Sequence, residues 1–295
     1  MIRSLKIIAQ LILVMFIVSC NQNGSGDGLG DVDTSDFSSG SAKDVKKIFY
    51  NVPSPVEMTG IVQRAGASYN GGILNKIRNV EKYNTNSTMA LNLGVYGADL
   101  SYTRLFDQIQ ESVNYLAAIR KLSDGLGIPQ EQGKFAISRI EKNIEIRDSL
   151  LKIITEVYGA ADMFLKENNR GSTANLIILG GWTEALFIAT NLIDETEKNN
   201  EVLDRIAEQK YSLKNLIELL NEHKTDAVIA QYLPMLNELD EIFNSIESTH
   251  SKTEVKTDSV NGVTTLDNKS KMNITSEDIV KIKATVSKIR EKIIK

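Results

Sequence analysis

Cysteine, tryptophan and histidine are nearly missing from this chain: one, one and two among 295 residues. A lone cysteine leaves no internal disulfide, so packing has to hold the fold. His223 and His250 cannot complete a four-ligand zinc set with that cysteine. The E-x-x-H formed by Glu247 and His250 occurs once, whereas a di-iron centre in a helical bundle draws it from two helices and adds two further carboxylates. There is no G-x-S-x-G elbow. "GLGIPQEQGKF" fails as a phosphate loop, because five residues separate Gly127 from Gly133 and Phe135 stands where Ser or Thr would bind magnesium. A basic excess is lacking too. With 34 Lys and Arg against 38 Asp and Glu, the chain has no concentration of cations for phosphate contacts, which argues against a nucleic-acid partner. These gaps lead to the expectation of no enzyme activity, no catalytic residue, no metal ligand and no cofactor.

What is present begins with an export-signal layout. Arg3 and Lys6 precede an apolar run from Ile7 to Val18, interrupted by Gln10 and followed by Ser19 and Cys20. The run is shorter than the about 20 residues a membrane-spanning helix needs. Its end, Ile17-Val18-Ser19-Cys20, resembles the lipobox of bacterial lipoproteins, and no A-x-A site follows to favour an ordinary secretory signal. The resemblance implies that residues 1–19 are a signal peptide, that the Cys20 thiol takes a diacylglycerol, and that its freed amino group is acylated. One acyl chain holds a protein reversibly, whereas two or three anchor it firmly. Removal of two basic and no acidic residues moves the net charge from −4 to −6. Residues 20–43, rich in Gly, Ser, Asp and Asn, have little to bury and read as a flexible tether.

Residues 44–295 read as one all-α domain, a multi-helix bundle with long antiparallel helices. Ser54, Pro55 and Glu57 form a helix start, and Gly66 a stop. Residues 67–88 read as loop with a short helix around Ile73–Val80. Leu105, Ile109, Val113, Leu116 and Ile119 recur at helical spacing as one stripe. Gly127 marks a stop and Pro129 a restart. Ile137, Ile140, Ile144, Leu151, Ile154, Tyr158, Ala161 and Leu165 line one face of a long helix, with Arg147 as a polar gap. From about Ser172 to Lys198 the pattern is apolar almost all round, as in a helix enclosed by others; Glu184 and its polar neighbours argue against a membrane span. Leu203 to Leu220 and Ile229 to Ile246 mark two more amphipathic helices. Residues 248–274 form a polar insertion, and Asn261-Gly262 signals a small exposed β-hairpin near 254–267, or a disordered loop. The last helix opens at Thr275 or Ser276 and carries the seam Ile279, Ile282, Val286, Ile289 and Ile293. Lys281, Lys283, Lys288, Arg290 and Lys292 read as its solvated face. "VYGADLSY" at 95–102 echoes "VYGAADMF" at 157–164, by duplication of a helical hairpin or by chance.

Glu184 is the one charge between Arg170 and Asp194, and burial there would perturb its titration. The alternative is a narrow wet helix edge on which Glu184 pairs with an Arg. Tyr96, Asp99 and Tyr102 gather polar groups near a helix start, where Asp99 suits a cap. Together with Trp182 these residues outline a candidate pocket between helices. "IFYNVPSPVEM", "NLGVYGADLSYTRLFDQIQESVNYL" and "GGWTEALFIATNLI" resemble segments of uncharacterised helical cell-envelope lipoproteins of the Bacteroidota, from about Lys47 to Asn200. The resemblance implies an exported, lipid-anchored envelope protein, at the outer membrane with its face left open, and transfers no activity. The expected function is a non-enzymatic binding or scaffold component with an envelope protein partner. The alternative is a small-ligand binder using the pocket near Trp182 and Glu184.

Overall fold

The computed structural model describes residues 63, 66–129, 137–193, 200–250, 254–258, 263–267 and 270–295. The expected signal peptide, Cys20, the expected tether and the helix start expected at Ser54 lie outside the described residues.

The described fold is all-α in character. After 3₁₀ turns at Gly71–Ile73 and Ile77–Lys82 come α1 (Asn86–Leu105), α2 (Ile109–Gly125), α3 (Ile137–Lys142), α4 (Arg147–Glu167), α5 (Gly171–Leu192), α6 (Asn200–Ala207), α7 (Gln209–Asn221), α8 (Ile229–Ser245) and α9 (Ser276–Ile294). Between α8 and α9 four short strands pair antiparallel. Strand β1 (Ser248–His250) runs against β4 (Ser270–Met272), and β2 (Glu254–Asp258) against β3 (Val263–Asp267) with Val255 opposite Leu266. Residues 259–262, including Asn261-Gly262, lie outside the described residues.

Side chains written into the local sequence set the helix ends. Thr85 caps α1 through a reciprocal box with Thr88, and Thr275 caps α9 through the same device with Asp278. Three helices stop in the left-handed conformation that Gly, Asn and Asp tolerate best. Asp107 (φ 57°), Gly127 (φ 64°) and Asn169 (φ 58°) each precede an N–H that reaches back five residues, from Gln108 to Thr103, Ile128 to Ser123 and Arg170 to Leu165. Gly127 stops a helix as expected.

The Asp107 turn corrects the single stripe expected from Leu105 to Ile119. It separates α1 from α2 and rotates the second helix, so that Ile109 and Val113 are 44 % and 43 % exposed. Ser112, Tyr115, Leu116, Ile119 and Leu122 are buried in their place. The long helix expected from Ile137 to Leu165 is likewise two helices. Around Asn143, whose side-chain amide donates to the Arg139 carbonyl, the chain turns and leaves Ile146 exposed. A side chain that offers the backbone an alternative partner weakens a helix at that point.

Helices α1 and α5 make the most extensive contact in the fold. Every residue of α1 from Ala90 to Leu105 is buried. Close approach comes from glycine. A Cβ on Gly94 would stand 2.0 Å from the Ile177 carbonyl oxygen, and one on Gly180 would stand 1.9 Å from that of Leu91. Gly171–Leu192 is long and apolar enough to cross a membrane, yet 83 % of its most apolar window is buried inside the protein. Its hydrophobic surface is covered by neighbours: α1, α4, α7 and α9 all pack against α5. Helix α9 lays its expected seam against this centre, and α8 packs on α7 and α9.

Candidate functional site

Glu184 projects from α5 into the core and is fully buried. Burying a carboxylate without a partner is costly, and α9 supplies the partner. Arg290 donates from Nε to Oε2 at 2.6 Å and from Nη2 to Oε1 at 2.7 Å, a two-pronged pair. The same guanidinium donates to the Ile73 carbonyl at 2.9 Å and lies 4.0 Å over the Phe187 ring. This corrects the reading of Arg290 as part of a solvated face. One residue past Ile289 and four past Val286, it sits at the edge of the seam and turns inward, 8 % exposed. Burial works against its charge, and the adjacent Glu184 carboxylate outweighs that, so its acidity is weakened further.

Asp99 completes the charged group. It lies in the middle of α1 rather than in its first turn, where Thr85 is the cap. Its side chain is fully buried, and neither oxygen meets a protein donor at hydrogen-bonding geometry. The Glu184 carboxylate and the Asn75 backbone N–H are its near neighbours. Burial, followed by the Glu184 charge, pushes the Asp99 carboxyl well above its ordinary range, with Arg290 opposing.

A shell of amides and phenols surrounds these three side chains and ties down the end of α9. Asn92 donates to the Ile293 carbonyl at 3.0 Å and Tyr83 to the Ile294 carbonyl at 3.2 Å. These are carbonyls a helix C-terminus leaves unpaired. The Asn75 side-chain amide bridges the two donors, donating to the Tyr83 hydroxyl at 3.1 Å and to the Asn92 side-chain Oδ1 at 3.3 Å. Tyr115 donates to the Asn75 carbonyl at 3.0 Å and Tyr96 to that of Lys76 at 3.1 Å. Burial raises the Tyr83, Tyr96 and Tyr115 phenols above their usual value.

Of the five residues nominated from sequence, Tyr96, Asp99 and Glu184 share this cluster. Tyr102 stands apart in an aromatic group, its ring 5.3 Å from that of Tyr69, and accepts from the Asn70 N–H. Trp182 is buried with its indole N–H unpartnered. Two residues from Glu184 on a helix, it points about 200° away from it. Sequence reasoning missed Arg290, Asn75, Tyr83, Asn92 and Tyr115. A cation adjoining an apolar seam was the available signal for Arg290; Asn75 and Tyr83 come from the turns before α1, whereas Asn92 and Tyr115 are polar positions on α1 and α2 whose partners lie far along the chain. Two cavities occur elsewhere. One of about 30 Å³ lies among Leu93, Ile119, Ile128, Ile140, Val157 and Tyr158, and a larger one of about 610 Å³ has Arg120, Asp124, Ser138 and Glu141 at its wall. Among the described residues no three His, Cys, Asp or Glu side chains converge as a metal site.

No protein-family model matches the chain, and no match was found among the curated proteins or the solved structures.

Proposed function

We propose that this chain is a non-enzymatic lipoprotein of the cell envelope, held by acyl chains on Cys20 at the outer membrane and acting there as a binding or scaffold component for an envelope protein. The observation that carries the reading is Ile17-Val18-Ser19-Cys20 at the end of a short apolar run, followed by a Gly- and Ser-rich stretch. A helical bundle is the working part, standing off the membrane on residues 20–43. The antiparallel pair of β2 and β3 has an edge suited to adding a strand from a partner. The buried ionisable cluster supports a non-catalytic role. The Asp99 and Glu184 carboxylates have no exposure, and Glu184 spends both oxygens on fastening α9 through Arg290.

The test is metabolic labelling with a fatty-acid probe, with membrane fractionation and cross-linked capture from detergent-solubilised envelope, of the wild type against Cys20→Ala. Label on the wild type alone, with a stoichiometric protein partner lost in the variant, is the expected result. An unlabelled wild type would overturn the anchor. A small molecule recovered in place of a protein would move the reading to a ligand binder.

A further inference from the structure

We propose that Asp99 and Glu184 hold one proton between them, and that this proton keeps α9 clamped to the core, so that its loss at rising pH loosens the clamp. The argument is a count of charges and donors. Glu184 occupies the Nε and Nη2 hydrogens of Arg290 with both its oxygens. Asp99, fully buried on α1, has no donor at full hydrogen-bonding geometry on either oxygen and only the Asn75 N–H near it. One guanidinium therefore faces two carboxyl groups in a place that water does not reach. Two carboxylates sharing such a site cannot both ionise at ordinary pH, and one keeps its proton. With Asp99 as the acid and Glu184 as the acceptor, the Asp99 O–H gains a partner and the cluster is neutral.

The other groups facing Asp99 do not change this balance. Tyr96 comes from the same helix, Tyr69 and Tyr83 from the segment before it, Tyr115 from α2 and Tyr158 from α4. The Tyr69 hydroxyl donates to Glu111 at 2.5 Å. All five phenols are neutral over the range in question, and among the described residues Arg290 is the cation that acts on Asp99. When base removes the proton to water, the cluster goes from neutral to a net charge of −1. Asp99 then competes with Glu184 for Arg290, the contact through which α9 holds both α5 and the Ile73 carbonyl. The contribution of this proton to stability is therefore greatest in acid. The unfolded chain releases this proton in the ordinary carboxylate range near 3.9, whereas the folded chain keeps it, so stability falls as pH rises from there towards the point where folded Asp99 ionises.

The experiment compares the detergent-solubilised full chain with Asp99→Asn and Glu184→Gln. Infrared spectra in heavy water at neutral pH read the carbonyl stretch of a protonated carboxylic acid. Wild type is expected to show it, and both variants to lose it, because in Glu184→Gln Asp99 becomes the ionised partner of Arg290. Across the window above the ordinary carboxylate range, the folding equilibrium constant of the wild type should fall about tenfold more per pH unit than that of Asp99→Asn. Amide protection in α9 should fall at high pH in wild type only. If Asp99→Asn does not fold, Glu184→Gln and the wild-type α9 protection carry the test. A wild type without the acid band, a band that survives in the variants, or α9 protection indifferent to pH would each overturn the proposal.

Discussion

Gly180 and Gly181 are adjacent on α5, yet alanine should act in opposite directions at the two positions. At Gly180 the added Cβ would lie 1.9 Å from the Leu91 carbonyl oxygen, 2.8 Å from its carbon and 3.2 Å from its Cα. All three are backbone atoms of a buried helix, so no rotamer change relieves the clash. An ordinary C···O contact is about 3.3 Å or more, so α1 and α5 would have to separate by more than an ångström where they pack most extensively. A gap of 0.5–1 Å already forfeits roughly a quarter to a half of each dispersion contact across it. Overpacking of this kind costs about 3 kcal/mol; the better helix propensity of alanine returns about 1 kcal/mol. The net expectation for Gly180→Ala is a loss of about 2 kcal/mol. At Gly181 the nearest atom is the Gly94 carbonyl oxygen at 3.4 Å, an ordinary contact. There the propensity term acts alone, and Gly181→Ala should gain about 0.5–1 kcal/mol. Urea unfolding followed by far-ultraviolet circular dichroism reads both, with m-values checked for constancy. Equal effects, or a stabilising Gly180→Ala, would refute the claim that α1 and α5 meet backbone to backbone.

Removing one partner of the buried pair by Arg290→Met should cost about 3–5 kcal/mol, because Glu184 is left buried without its donor, whereas Glu184→Leu with Arg290→Met should cost far less than the two single changes together. Urea midpoints of the singles and the double check this. Arg104 is 1 % exposed, with its Nε and Nη1 unpartnered and its Nη2 3.8 Å from the exposed Asp107 carboxylate. Its desolvation is poorly offset, and Arg104→Met should raise stability by about 1–3 kcal/mol; a drop in thermal midpoint would contradict this. Burial pushes the Tyr232 phenol up to about 12, and Tyr69, Tyr96, Tyr115 and Tyr158 are held higher still. Unfolded phenols ionise near 10, so above that pH the unfolded state loses protons first and stability falls. Ultraviolet titration should show the share of phenolate absorbance due to these five residues appearing late and together with unfolding.

The helix class, the α9 seam and the enclosed α5 were legible because they rest on local periodicity, and apolar spacing repeats along a helix whatever it packs against. Ile279, Ile282, Val286, Ile289 and Ile293 are all buried, as their spacing requires. The start of α9 at Thr275 and the stop at Gly127 were legible too, each settled within a few residues of chain. Periodicity failed where a local turn intervened. Asp107 and Asn143 break patterns that continue through them, because neither residue type forces a break and their neighbours decide whether one forms.

The candidate site was half legible. Glu184 drew attention as a charge in an apolar field and Asp99 as an acid beside tyrosines, but nothing local joins them. By itself the sequence determined the helical class, the central place of α5 and the Cys20 motif, since these depend on composition and short spacing. Only the tertiary structure decided that Arg290, 106 residues beyond Glu184, is its partner, that Asp99 has none, and that α1 is sealed on every side. Those facts depend on which helices meet and how closely, and that distance is set by the missing side chains of Gly94 and Gly180.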